Sequence, residues 1–182
     1  MTPEARAELR ERLEASRQVV RKSVDRLSDF QWRFAPPEGG WTIAQCLEHI
    51  THIETRIIDE LGEQIKTVAP DPSLIETLAN KEEILKRAIP GRGRKVQMPE
   101  KFEFPQGVRP AAKLVEQFEQ ARDRSIRFLM EATVDIRDWR TDHAFFQTLH
   151  GGQWMWMIAL HAERHAAQIE EVRRLAEFPT AA

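Results

Sequence analysis

The sequence predicts an all-α fold, a four-helix bundle with a long irregular insertion between its second and third long helices. In four long segments, apolar residues recur at steps of three and four, which is the spacing of one face of a helix. Alternation of apolar and polar residues with a period of two, which is typical of strands, is scarce. Prolines interrupt the middle of the chain, where helices cannot continue through them: Pro70, Pro72, Pro90, Pro99 and Pro105.

The first helix is predicted over residues 2–28. Thr2 and Pro3 form a favourable start, because threonine caps a helix and proline is accepted at its first position. Residues 29–41 are predicted to be a loop, since they contain two adjacent prolines and two adjacent glycines. One inward-facing stripe runs along the helix: Leu9, Leu13, Ser16, Val20, Val24 and Leu27.

The second helix is predicted to begin after Thr42, where Thr42 and Gln45 have the spacing of a capping box. A helical projection places His49 on the flank of its apolar stripe and His52 nearly opposite the stripe. Glu54 falls close to the centre of the stripe, which is a costly place for an unpaired carboxylate. The stripe consists of Ile43, Leu47, Ile50, Ile57, Leu61 and Ile65.

The second half of the chain is predicted to hold the other two long helices. Residues 73–89 are predicted to contain a short helix, whereas residues 90–109 are predicted to be irregular. The third long helix is predicted over about 110–132, a loop rich in Trp, Phe and His over 133–152, and the fourth long helix over about 153–176.

Composition excludes several classes of function. A length of 182 residues fits one domain, predicted over 1–182. The 27 Lys and Arg against 29 Asp and Glu give a net charge of −2, so no basic field indicates nucleic acid. No apolar run is long enough to span a membrane, and no apolar signal core follows Met1. The single cysteine, Cys46, fits a cytoplasmic location and is predicted to be buried and inert rather than a ligand or a reactive thiol.

The most informative motif is His161-x-x-x-His165 on the fourth helix. A spacing of four stacks two imidazoles one turn apart, so both can reach one cation. Both also lie in the middle of an apolar stripe, where an imidazole needs a partner. Among the other histidines, His49 is the best placed third ligand, and three imidazoles with an open fourth position are typical of a catalytic zinc site. Histidines satisfied by hydrogen bonds in a structural core are the alternative.

Two familiar metal motifs are excluded by position. Glu163 follows His161 by two residues, so it points away from the ligand face and cannot act as the glutamate of a His-Glu-x-x-His site. A ferritin-like di-iron site needs a glutamate three residues before a histidine in two helices, and no histidine of this chain has one.

The two motifs also resemble a known family. Gly40-Trp41-Thr42-Ile43 followed by His49-Ile50 is similar to the start of the second helix in the DinB/YfiT-like proteins, and His161-x-x-x-His165-x-x-Gln168-Ile169 is similar to their last helix. The resemblance implies a bundle with a mirror variant of up-and-down topology and a metal triad of His49, His161 and His165. It also implies zinc or nickel as the ion, and a low-molecular-weight thiol as cosubstrate of an S-transferase or isomerase.

Five further residues are candidates for supporting or substrate-binding roles. Gln168 could orient a ligand, and Glu54 could accept an N–H from a ligand imidazole, whereas structural pairing is the alternative for each residue. Trp154 could line a pocket or simply belong to the core. Arg92 and Arg94 lie in a short basic loop that could bind an anionic thiol or substrate, or could be solvated.

The sequence therefore favours a metal-dependent enzyme acting on a small molecule, with thiol-dependent S-transfer or a related detoxification reaction as the expected chemistry. A metal-dependent hydrolase, with Glu54 as the nearest candidate base, is one alternative. A non-catalytic metal- or ligand-binding bundle and a purely structural bundle are the others. A homodimer is expected, because apolar side chains in the connecting segments would otherwise be exposed.

Overall fold

The computed structural model describes residues 1–92 and 105–180, and these residues confirm the all-α prediction. Four long helices form the body of the molecule: α1 Pro3–Ser23, α3 Ile43–Thr67, α6 Ala111–Glu131 and α7 Gly151–Arg173. Shorter elements connect them: α2 Asp29–Arg33, α4 Leu74–Thr77, α5 Lys81–Ala88, a 3-10 turn at Ile136–Asp138, and strands β1 Arg140–His143 and β2 Gln147–His150.

Both α1 and α3 pack against α6 and α7, so that the four long helices bury their apolar faces against one another, and the buried residues described form two clusters. Most of the inward-facing residues predicted from helical spacing are buried there, among them Leu13, Val20, Leu47 and Ile50. None of the helices in the described residues combines the length and apolarity needed to cross a bilayer.

The predicted helix starts at Thr2 and Thr42 are confirmed in detail. The Thr2 hydroxyl accepts a hydrogen bond from the Ala5 amide at 3.2 Å. At Thr42 a complete capping box forms with Gln45, because the hydroxyl accepts from the Gln45 amide at 3.2 Å and the Gln45 side chain accepts from the Thr42 amide at 2.9 Å. This box fixes where α3 begins and therefore the register that carries His49.

Three connecting segments contain more regular structure than the sequence predicts. The first helix ends at Ser23 rather than 28, and α2 lies in the predicted loop because Ser28 and Gln31 form a second capping box. The insertion begins with two short helices, α4 and α5, where residues 73–89 were predicted to contain one. The predicted loop before the last helix contains the antiparallel β1–β2 hairpin, whose pairing runs from Arg140 opposite His150 to His143 opposite Gln147.

The last helix begins two residues earlier than predicted, at Gly151. A side chain at Gly151 would meet the Ile136 carbonyl oxygen at 2.3 Å, so glycine permits the close approach of the 3-10 turn to the start of α7. His150 caps this helix through Nδ1, which accepts from the Gln153 amide at 3.1 Å. Gly151 and Gly152, which the sequence placed in the loop over 133–152, therefore form the first turn of α7.

Candidate metal centre

The three predicted ligands converge at one point between α3 and α7. His49 lies near the start of α3, and His161 and His165 lie one turn apart on α7. Nε2 of His161 is 3.1 Å from Nε2 of His49 and 3.1 Å from Nε2 of His165. All three ligand nitrogens lie within 4.8 Å of one another, so the group could hold a metal ion.

The positions of the three Nε2 atoms fit ligands of one cation better than partners in a cluster of hydrogen bonds. A neutral imidazole nitrogen carries either one proton or one lone pair, so His161 Nε2 cannot make full hydrogen bonds to two other ring nitrogens at once. Nitrogens bound to one tetrahedral zinc at about 2.05 Å are about 3.3 Å apart, close to the two short separations observed. A single divalent ion accepting three lone pairs would therefore satisfy all three rings.

Burial keeps the three imidazoles neutral, which is the form that binds metals. Desolvation lowers the pKa of His49 to about 4 and the pKa of His165 to about 3. Desolvation also lowers the pKa of His161 well below its usual value, and the two neighbouring histidines add to the effect. The three side chains thus present lone pairs rather than positive charges at neutral pH.

Gln168 lies beside the centre, as its place on the helix predicts. Its Oε1 is 3.0 Å from Nδ1 of His165. If Nδ1 donates to this oxygen, the proton of the neutral ring is on Nδ1 and the lone pair on Nε2 is directed to the other histidines. Gln168 is therefore positioned to fix the tautomer of one ligand, which is the role expected of a residue behind a metal-bound imidazole.

Trp41 covers the centre on one side, a contact that the spacing of the sequence motifs does not predict. Its ring is stacked on His165 with a centroid separation of 5.7 Å and packs edge-on against His49 at 4.7 Å. Gly39 and Gly40 have φ values of 80° and 125°, in the region that favours glycine, and they turn the chain into Trp41. In the sequence, the pair Gly40-Trp41 directly before the Thr42 capping box is the signal that could have predicted this contact.

The structure does not bring Glu54 to the histidines. Its two carboxylate oxygens accept from Arg122 Nε at 2.8 Å and from Arg122 Nη2 at 3.0 Å, and Ser125 Oγ donates to the same carboxylate at 2.7 Å. Arg122 is completely buried and Glu54 is 2% exposed. The pairing explains how a carboxylate lies at the centre of an apolar stripe, and it holds this carboxylate against two residues of α6 rather than beside the histidines.

Arg92 also has partners within the protein. Its Nε and Nη2 donate to the two carboxylate oxygens of Glu171 at 3.0 and 2.6 Å, and its Nη1 donates to Gln168 Oε1 at 3.3 Å. This placement favours a supporting role near the centre over the substrate contact that the basic loop suggested. Arg94 lies outside the described residues.

Trp154 and Cys46 are both buried. Trp154 is 2% exposed and packs in the core with its ring 5.5 Å from that of His143. Cys46 is fully buried and desolvation raises its pKa to about 12, so its thiol stays protonated, as the prediction of an inert cysteine requires. His52 is exposed, as its position opposite the stripe predicts.

Comparison with known proteins adds one finding. The chain matches no curated protein and no solved structure. The family model described as the DinB superfamily matches residues 12–169. This match covers α3 and α6 completely, more than half of α1 and most of α7, and it includes all three histidines. It confirms the resemblance found in the two histidine motifs: the chain belongs to the DinB superfamily.

Proposed function

We propose that this protein is a metal-dependent enzyme that transfers or activates a low-molecular-weight thiol, with one zinc or nickel ion held by His49, His161 and His165. The convergence of three neutral ring nitrogens, at separations that suit one tetrahedral ion, carries the proposal. When bound, the ion would lower the pKa of a thiol or of water at its open position.

The charges around the centre favour a thiol over hydrolysis. No Asp or Glu joins the three histidines in the described part of the chain, so an ion held there would keep its full positive charge and would favour an anionic thiolate. Hydrolysis would need a general base nearby. The carboxylate of Glu54 is taken by Arg122 and Ser125, and that of Glu163 pairs with Arg12 at 2.5 Å.

The protein side chains would contribute positioning and exclusion of water. The contact between His165 and Gln168 would hold one ligand ring in a fixed orientation. Trp41 would shield two ligand rings from solvent and present an apolar face to the small-molecule substrate. His161 would bind the ion between the other two ligands, because its Nε2 is 3.1 Å from Nε2 of His49 and 3.1 Å from Nε2 of His165.

The first experiment measures metal content in protein prepared without a histidine tag. One equivalent of zinc or nickel per chain is expected for the wild type, and loss of this metal is expected for His161→Ala. His52→Ala is the matched control, since it removes an exposed histidine of α3 and should retain the metal. Wild-type protein that binds no divalent ion after reconstitution would refute the proposal.

The second experiment separates the two reaction classes. Metal-loaded protein is offered a panel of small thiols with a chromogenic electrophile, and separately a panel of esters and amides. Thiol transfer that disappears in His161→Ala is expected. Hydrolysis that requires both the metal and Glu54, without thiol transfer, would replace this proposal with a hydrolase. Metal binding without activity in either panel would favour a binding protein.

A further inference from the structure

The insertion between α3 and α6 reaches the metal centre through Arg92. The guanidinium group of Arg92 donates to Gln168 Oε1, and Gln168 Oε1 is in turn 3.0 Å from Nδ1 of His165. A chain of three side chains therefore connects a residue of the insertion to one of the three ligands. Neither the spacing of the sequence motifs nor the family match indicates this connection.

Arginine restricts the orientation of the amide group. A guanidinium group has donors and no acceptor, so only the oxygen of Gln168 can face it, and an amide turned by 180° would place two donors against each other. The distance of 3.3 Å between Arg92 Nη1 and Gln168 Oε1 is within hydrogen-bonding range. Arg92 therefore favours the orientation in which the oxygen also faces His165.

The amide orientation selects the tautomer of His165. When the oxygen faces Nδ1, the ring places its proton on Nδ1 and keeps the lone pair of Nε2 for the shared centre. The opposite amide orientation would donate to Nδ1 and favour a proton on Nε2. A ring in that tautomer has no lone pair on the nitrogen that lies 3.1 Å from His161 Nε2.

Arg92 is itself held in place by α7. Glu171 binds the guanidinium through both oxygens, at 2.6 and 3.0 Å, and this contact lowers the pKa of Glu171. The backbone just before Arg92 is attached to the same helix, because Arg164 donates to the carbonyl oxygens of Ile89, at 3.1 Å, and of Gly91. The side chain is thus positioned from both ends.

We propose that Arg92 is a positioning residue of the metal centre, which keeps His165 in its metal-binding tautomer by fixing the side-chain amide of Gln168. The inference rests on the proposed function, because it assumes that the three histidines bind a metal. It assigns to the insertion a role in preparing the centre rather than in contacting the substrate.

The test compares Arg92→Ala, Gln168→Ala and the double variant with the wild type. Zinc affinity is measured by competition with a chelator. Arg92→Ala and Gln168→Ala should each lower the affinity about tenfold, the lower end of what loss of such supporting contacts produces. The double variant should bind zinc no more weakly than Gln168→Ala alone, because Arg92 acts through Gln168. Additive losses would overturn the proposal.

The tautomer is observed directly in metal-free protein labelled with ¹⁵N at histidine. Long-range proton–nitrogen correlation spectra should show His165 protonated at Nδ1 in the wild type and a mixture of tautomers in Arg92→Ala. An unchanged tautomer would overturn the proposal. Glu171→Ala, which removes the anchor of the guanidinium, should shift the tautomer and the affinity in the same direction, and this variant keeps the test open if Arg92→Ala does not fold.

Arg137→Ala is the matched control. Arg137 makes a comparable paired contact with Asp135, at 2.6 Å and with 27% of its side chain exposed against 24% for Arg92, but it lies in the 3-10 turn. This control should leave zinc affinity unchanged. Wild-type protein that binds neither zinc nor nickel would contradict the proposed function, whereas tight binding by the wild type and Arg92→Ala alike would contradict only the role of Arg92.

Discussion

Replacement of Glu54 by alanine should destabilise the bundle severely. The substitution leaves the guanidinium of Arg122 buried without its carboxylate, at a position with no exposure to solvent. Removing one partner of a buried ion pair costs about 3–5 kcal/mol in the free energy of unfolding. Arg122 keeps its bonds to the Leu13 carbonyl and the Ser16 hydroxyl, so we expect the lower end of that range.

The measurement is urea denaturation followed by circular dichroism, supported by thermal melting. At about 2–4 °C per kcal/mol for a chain of this size, a loss of about 3 kcal/mol lowers Tm by about 6–12 °C. The matched control is Asp59→Ala. Asp59 pairs with Arg124 across the same two helices, but the two side chains are 57% and 48% exposed, so its loss should cost less than about 1 kcal/mol.

A double variant tests the reasoning further. Glu54→Leu combined with Arg122→Met removes both charges and should recover most of the stability lost in Glu54→Ala, since a buried pair can be replaced by apolar residues at little cost. Equal, small losses of stability in Glu54→Ala and Asp59→Ala would refute the prediction that the buried pair of Glu54 and Arg122 stabilises the fold. Loss of metal-dependent activity without loss of stability would instead indicate that Glu54 acts in the chemistry.

Four further predictions concern the centre and the surface. In equilibrium dialysis, His49→Ala should lose metal affinity and His52→Ala should retain it, because the His49 side chain contacts His161 whereas His52 is exposed. The reverse result would contradict the register of α3. Metal-free protein should lose stability as the pH falls from about 6.5 toward 4. In the unfolded chain the histidines bind protons with a pKa near 6.5, whereas in the folded state the pKa is about 4 for His49 and about 3 for His165, so the unfolded chain binds more protons in this range. Thermal melts at pH 7 and pH 5 in the presence of a chelator check this, and His49→Ala should show a smaller pH dependence. Cys46 should resist thiol reagents in the native protein and react only on unfolding, because its thiol is buried and its pKa is raised; rapid reaction of the native protein would contradict this. Light scattering should detect a homodimer at high micromolar concentration, and a strict monomer would contradict that expectation.

The sequence alone was sufficient to predict those features that depend on interactions between neighbouring residues. The caps at Thr2 and Thr42 and the helical spacing of apolar residues predicted the long helices, because hydrogen bonds between neighbouring residues and the period of the helix determine them. The same spacing predicted that His161 and His165 share a face. Helical spacing did not predict the β1–β2 hairpin, because this hairpin depends on pairing between its strands and on packing of β2 against α7 more than on its local sequence.

The tertiary structure decided which side chains meet. Spacing showed that Glu54 needed a partner, but only packing of α3 against α6 identified Arg122. Likewise, the family motifs indicated His49 as a third ligand, whereas the contacts of Trp41 with the rings and of Arg92 with Gln168 depend on the path of segments far away in the chain. A periodic pattern determines the face of a helix on which a residue lies. The residue that it touches depends on how that face is packed against the other elements.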